Sequence, residues 1–139
     1  MNTKYDRAYI TINLNNIIDN VNAVSEKLQG KAGVLAVLKA DGYGHGAAAI
    51  ARELEEIDAV MGYATATIEE ALFLRNAGAK KMILVLGYLF KDQYEDAINN
   101  DISVTVYNYE CAERLSETAL RLGKEAKVHI KVDTGMSRI

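Results

Sequence analysis

Lys39 closes the apolar run Val34-Leu35-Ala36-Val37-Leu38 and opens the segment Lys39-Ala40-Asp41-Gly42-Tyr43-Gly44-His45-Gly46. A lysine anchored so near a core is rare unless it is paired or chemically used. Partial burial weakens an amine's preference for its charged form, so it can act as a base or attack a carbonyl as a Schiff-base nucleophile. The three glycines that follow let the backbone turn sharply and approach a ligand, while Tyr43 and His45 project polar groups. A second segment has a similar layout. Lys131 stands near the end of the apolar run 128–132, and Asp133-Thr134-Gly135-Met136-Ser137-Arg138 follows as a turn with a charged tip. In parallel β/α folds functional groups gather where strands end and loops begin.

The elements that must hold these residues alternate along the chain. Apolar runs at 34–38, 59–63, 82–86, 102–106 and 128–132 predict buried strands. Between them lie helical patterns: Ile17, Ile18, Val21, Val24 and Leu28 before Gly30, then Ala47, Ile50, Ala51 and Leu54. Thr67 and Glu70 form a capping-box pattern that opens a third helix, stopping near Gly78. A fourth helix is predicted around 94–98, and a fifth runs from an Asn108 cap to Gly123. Residues 8–12 differ from the rest. Their alternation places Ile10 and Ile12 on one face of a half-buried strand. The pattern predicts a parallel sheet covered by helices, either an open doubly wound sheet or part of a (β/α)8 barrel.

Composition narrows the function classes. A chain of 139 residues can bury one core, and half hydrophobic with a quarter charged residues is ordinary for a soluble globular domain. A net charge of -3 supplies no basic field for nucleic acid. The single cysteine, Cys111, has no internal partner and is expected as a small core residue. Neither a signal peptide nor a membrane-length apolar run is present, so the cytoplasm is the expected compartment and no membrane partner is expected. The absence of proline argues against linkers.

The segment Ala36-Val37-Leu38-Lys39-Ala40-Asp41-Gly42-Tyr43-Gly44-His45-Gly46 resembles the pyridoxal 5'-phosphate (PLP) lysine motif of alanine racemases. The run Lys131-Val132-Asp133-Thr134-Gly135-Met136-Ser137-Arg138 resembles the same family, whose common form has glycine at the place of Ser137. The intervening segments 62–71 and 83–87 are similar too, so the resemblance covers the whole chain. It implies a homodimeric isomerase that interconverts L- and D-alanine and so supplies D-alanine for cell-wall peptidoglycan. It also implies roles. Lys39 would be the Schiff-base lysine and the acid/base on the D face, and Tyr43 would donate its hydroxyl to the cofactor phosphate. Arg138 would lie near the cofactor's phenolic oxygen and the substrate carboxylate, for which its planar donor fork is suited. Lys131 matches a lysine often carbamylated in the family, giving an anion that orients the arginine. Plainer roles stand beside these: Tyr43 as a turn aromatic, Arg138 as a solvated charge, Lys131 as an exposed strand lysine. His45 is expected at a helix start, and His129 as a satisfied layer residue. No metal is expected.

Five barrel strands do not close an eight-stranded barrel, which needs about 200 residues or more. Residues 1–139 are therefore expected to be the N-terminal part of the PLP-binding barrel, truncated after about five barrel strands. Residues 1–13 would be a strand belonging with a C-terminal β domain. In the family the opposite-face tyrosine comes from that domain of the partner subunit, so these residues alone are expected to be inactive. The alternatives are a serine or broad-specificity racemase, a non-catalytic PLP-binding homeostasis barrel, and an α/β interaction or phosphate-binding module.

Overall fold

The structure, a computed structural model, describes residues 8–138. Five strands form one sheet in the order β1 (Val34–Val37), β2 (Val60–Thr65), β3 (Met82–Val85), β4 (Ile102–Val106) and β5 (Val128–Ile130). Every neighbouring pair is parallel. Consecutive order with helical crossovers is what short right-handed β/α connections produce.

Local chemistry explains where the helices begin and end. Asn13 accepts from the Asn15 N–H at 3.0 Å and starts α1 (Leu14–Leu28). Thr67 and Glu70 complete the capping box of α4 (Ile68–Asn76). Asn108 accepts from the Cys111 N–H at 2.8 Å to open α6 (Tyr109–Leu122), which Gly123 closes in the left-handed conformation. Such caps satisfy N–H and C=O groups that the helix itself leaves free. Helices α3 (Ala47–Leu54) and α5 (Tyr94–Asn99) complete the cover, and α2 (Lys39–Gly44) belongs to the site below.

Strand register sorts the side chains into rows. Ala36, Tyr63, Ile83 and Ile102 lie side by side and face the helices, where Tyr63, Ile83 and Ile102 are buried with Leu54, Leu74, Tyr94 and Leu115. Val37, Ala64, Leu84 and Ser103 form the next row, on the opposite face. The Tyr63 hydroxyl sits 2.8 Å from both the Ala51 carbonyl and the Glu55 carboxylate, and Glu55 also accepts from the N–H groups of Lys80 and Lys81. Burial and that carboxylate push the Tyr63 hydroxyl far above its ordinary pKa. Cys111 is buried, as expected, with its sulfur 3.4 Å from the Tyr94 hydroxyl.

Residues 8–13 carry no strand among the described residues, where Ile10 is 88 % exposed; residues 1–7 and the β domain expected to pair with this segment lie outside them. Two expectations are corrected. β1 is half-buried rather than fully buried, because it is a sheet edge. Among the described residues β5 is the other edge and is exposed throughout, so His129 is exposed there rather than a layer residue.

Candidate active site at the C-terminal end of the sheet

The ladder continues past β1, since the Leu38 N–H donates to the Ala64 carbonyl at 2.8 Å. Lys39 then begins α2, whose helical hydrogen bonding conceals an unusual hand. Ala40, Asp41, Gly42 and Tyr43 have φ of 52, 53, 63 and 57°, all left-handed. For the three residues other than glycine this costs about 1–2 kcal/mol each. Several contacts hold the turn against that strain. Gly42 donates to the Leu38 carbonyl at 2.9 Å and Gly46 to the Asp41 carbonyl at 2.9 Å. The Ala47 N–H donates to Asp41 Oδ1 at 2.8 Å, so this aspartate ties the turn to the first residue of α3. From α4, Glu70 Oε1 accepts from the Ala40 N–H at 2.7 Å. Gly42 is buried so closely that an added Cβ would stand 2.9 Å from Ile50 Cδ1.

Lys39 emerges half-buried, its Nζ 5.8 Å from the Tyr43 ring centroid, while Tyr43 is 61 % exposed. This spacing is within reach of a cation–π contact. His45 Nδ1 lies 3.0 Å from the Gly42 carbonyl and 3.1 Å from that of Tyr43. It caps the end of the left-handed turn, one residue before α3's own cap at Gly46.

The other segment follows β5. The Lys131 N–H donates to the Val106 carbonyl at 2.8 Å, and Lys131 is half-buried beyond the strand end. Asp133 Oδ1 then accepts from the N–H groups of Gly135 and Ser137, both at 2.9 Å. Those bonds hold the Asp133 carboxyl below its ordinary pKa. Ser137 has φ 51°, a conformation that glycine takes freely. Lys131, Asp133, Thr134, Met136, Ser137 and Arg138 line a cleft of about 200 Å³, and Arg138 is exposed.

Both segments lie at the same, C-terminal end of a parallel sheet, but on its two opposite edges. Among the described residues no hydrogen bond or ion pair joins them. On one side stand the primary amine of half-buried Lys39 and a phenol; on the other, a guanidinium and a second amine. An amine of this kind can bond an aldehyde, a phenol can donate to a phosphate, and a guanidinium can grip a carboxylate. These residues therefore fit PLP and an amino acid. Sequence reasoning missed Asp41, Asp133 and the reach of Glu70 to Ala40; only the acidic residue beside a glycine-rich turn could have signalled the first two.

Residues 12–139 match the family profile described as the alanine racemase N-terminal domain. The chain is 43% identical to alanine racemase 1 of Oceanobacillus iheyensis over 99% of its own length and 36% of that protein's. It is 47% identical to the alanine racemase of Clostridium perfringens, over 92% of this chain and 33% of the relative. The solved alanine racemase of Clostridium difficile superposes with a TM-score of 0.87 at 40% identity, covering 94% of this chain and 36% of that one. A histidine racemase from Leuconostoc mesenteroides superposes with a TM-score of 0.80 at 28% identity, over 91% and 33%. The chain thus spans about a third of the length of the relatives it matches. A parallel sheet in consecutive order, a glycine-rich turn after its first strand and this similarity along nearly the whole chain identify it as a member of the alanine racemase family, corresponding to part of the N-terminal barrel.

Proposed function

We propose that this chain supplies the cofactor-holding lysine and one set of substrate-binding groups of a PLP-dependent racemase acting on alanine, in a cytoplasmic homodimer that provides D-alanine for peptidoglycan. The observation that carries the reading is the half-buried residue Lys39, presented at the strand end by a strained, multiply anchored turn. Strain of this kind persists where surrounding structure over-determines it, and it concentrates at active sites. Bound PLP supplies delocalisation of the negative charge that develops on a substrate α-carbon when its proton leaves.

The protein's own groups do the rest. Lys39 Nζ would hold the cofactor and would take or return the α-proton on the D face. The Tyr43 hydroxyl donates to the phosphate. Arg138 aligns the substrate carboxylate through parallel N–H donors. Lys131, when carbamylated, presents an anion that orients Arg138. Proton exchange on one face alone returns the starting enantiomer, so inversion requires a second acid/base on the other face. The resemblance assigns that role to a tyrosine of the partner subunit's C-terminal domain. Residues 1–139 alone would accordingly not racemise.

In the full-length protein, borohydride reduction in the presence of PLP followed by peptide mapping should label Lys39. Lys39→Ala should lose both the label and D-alanine formation. Racemisation retained in Lys39→Ala would refute the reading, and labelling without racemisation would favour a cofactor-carrying barrel. The likeness to a histidine racemase is a specific reason to assay alanine, serine and histidine side by side. Alanine is expected to turn over fastest.

A further inference from the structure

We propose that Glu70 is a positioning residue for Lys39, acting as a carboxylate clamp that joins the C-terminal ends of β1 and β2. Its two oxygens serve different segments. Oε1 accepts from the Ala40 N–H at 2.7 Å, thirty residues away in sequence. Oε2 accepts from the Ala66 N–H at 2.8 Å and lies 3.4 Å from the Thr67 nitrogen. Ala66 directly follows β2, and Ala40 is both the residue after Lys39 and the first of the left-handed run. Glu70 is itself half-buried on the first turn of α4, whose start is fixed by Thr67.

A capping box requires of Glu70 only its bond back to the Thr67 N–H. In this structure that is the longest of its three contacts, and the shortest goes to the lysine-bearing turn. The Ala40 N–H begins a conformation that L-residues avoid, so an acceptor there selects the turn over its relaxed alternatives. A hydrogen bond to a charged group shifts such an equilibrium by roughly tenfold to a hundredfold. Glutamine does not replace the carboxylate, because it substitutes NH₂ for one of the two acceptor oxygens and so sets a donor against the N–H of one segment.

The proposal rests on Lys39 as the cofactor lysine, and its test separates the two ideas. Amide hydrogen exchange across residues 40–43 is followed in the apo full-length protein. PLP affinity and borohydride labelling of Lys39 are measured alongside. Glu70→Gln should speed exchange in the turn at least tenfold and weaken PLP binding by a similar factor. Thr67→Ala, which weakens the start of α4 but leaves the bond to Ala40, should change neither by more than about twofold. Adding Ala40→Gly to Glu70→Gln should recover much of the loss, since glycine enters the left-handed region without penalty. If Glu70→Gln does not fold, Glu70→Ala takes its place, leaving both N–H groups to water. Wild-type exchange in the glutamate variant, an equal loss in Thr67→Ala, or no recovery with glycine would each overturn the clamp. Failure of wild-type protein to label at Lys39, with the exchange pattern as expected, would overturn the cofactor reading and leave the clamp standing.

Discussion

The turn after β1 and the loop after β5 are similar in sequence design and opposite in how they are held. Each places a lysine at a strand end, then glycine, then a polar or charged tip. The first is fastened from outside itself, by Glu70 on α4, Ala47 on α3 and the buried packing of Gly42 against Ile50. The second is fastened from within, by one aspartate folding the loop over its own N–H groups, with residues 132–138 all exposed. A segment with long-range anchors inherits the rigidity of the core. A segment held by itself has only local stability and opens independently.

That contrast predicts a graded series of responses. The largest comes from the shared foundation. Ile83, fully buried in the middle strand, supports both edges, and Ile83→Ala should cost about 2–5 kcal/mol in denaturant unfolding of the full-length protein. Loss of one segment without the other would show that they do not share a core. Next is Gly42→Ala, where an L-residue at φ 63° meets Ile50 Cδ1. It should cost about 1–2 kcal/mol from the backbone alone and reduce Lys39 labelling, while the amide resonances of 133–138 stay in place.

The β5 loop should respond to pH instead. The folded pKa of Asp133 is depressed by hydrogen bonds from Gly135 and Ser137. Its stabilising contribution is therefore complete above the unfolded value, about 3.9, and is lost as pH falls through the lower folded value. NMR titration of the Gly135 and Ser137 amides should show a midpoint below that of an ordinary aspartate. Asp133→Asn, which keeps an acceptor oxygen, should loosen the loop less than Asp133→Ala. A midpoint at or above the ordinary value would mean that the loop is not self-fastened. The smallest effect belongs to a site remote from both regions. Arg114 and Glu110 form an exposed i,i+4 pair at 2.6 Å, and Arg114→Ala should change stability by about 0.3–0.5 kcal/mol with no change in labelling.

What the sequence revealed follows the range of the interactions involved. The caps at Thr67 and Asn108 were legible because their partners lie three residues away. Strand order followed from apolar runs and the handedness of crossovers. Glycines at 42, 44 and 46 signalled a sharp turn, and all three have positive φ. That Ala40, Asp41 and Tyr43 share that conformation was not legible, because tertiary contacts overrode their intrinsic preference. The bond from Glu70 to Ala40 was hidden for the same reason, since a capping-box pattern gives no hint of a partner thirty residues distant. Apolar character at β1 and β5 indicated burial, but an edge strand has a neighbour on one side only.

The hand of the turn after Lys39 has a consequence for chemical synthesis. In a D-amino acid the side chain and hydrogen exchange places on Cα, so the region that L-residues avoid becomes the one that D-residues prefer. Ala40, with φ 52° and ψ 48°, sits where a right-handed helix would lie if reflected in a mirror. A semisynthetic protein carrying the D-enantiomer of alanine at position 40 should be more stable than the natural chain. The same replacement at Ala71, buried within right-handed α4, should be destabilising. For one short stretch beside its lysine, the backbone is better suited to residues of the opposite chirality.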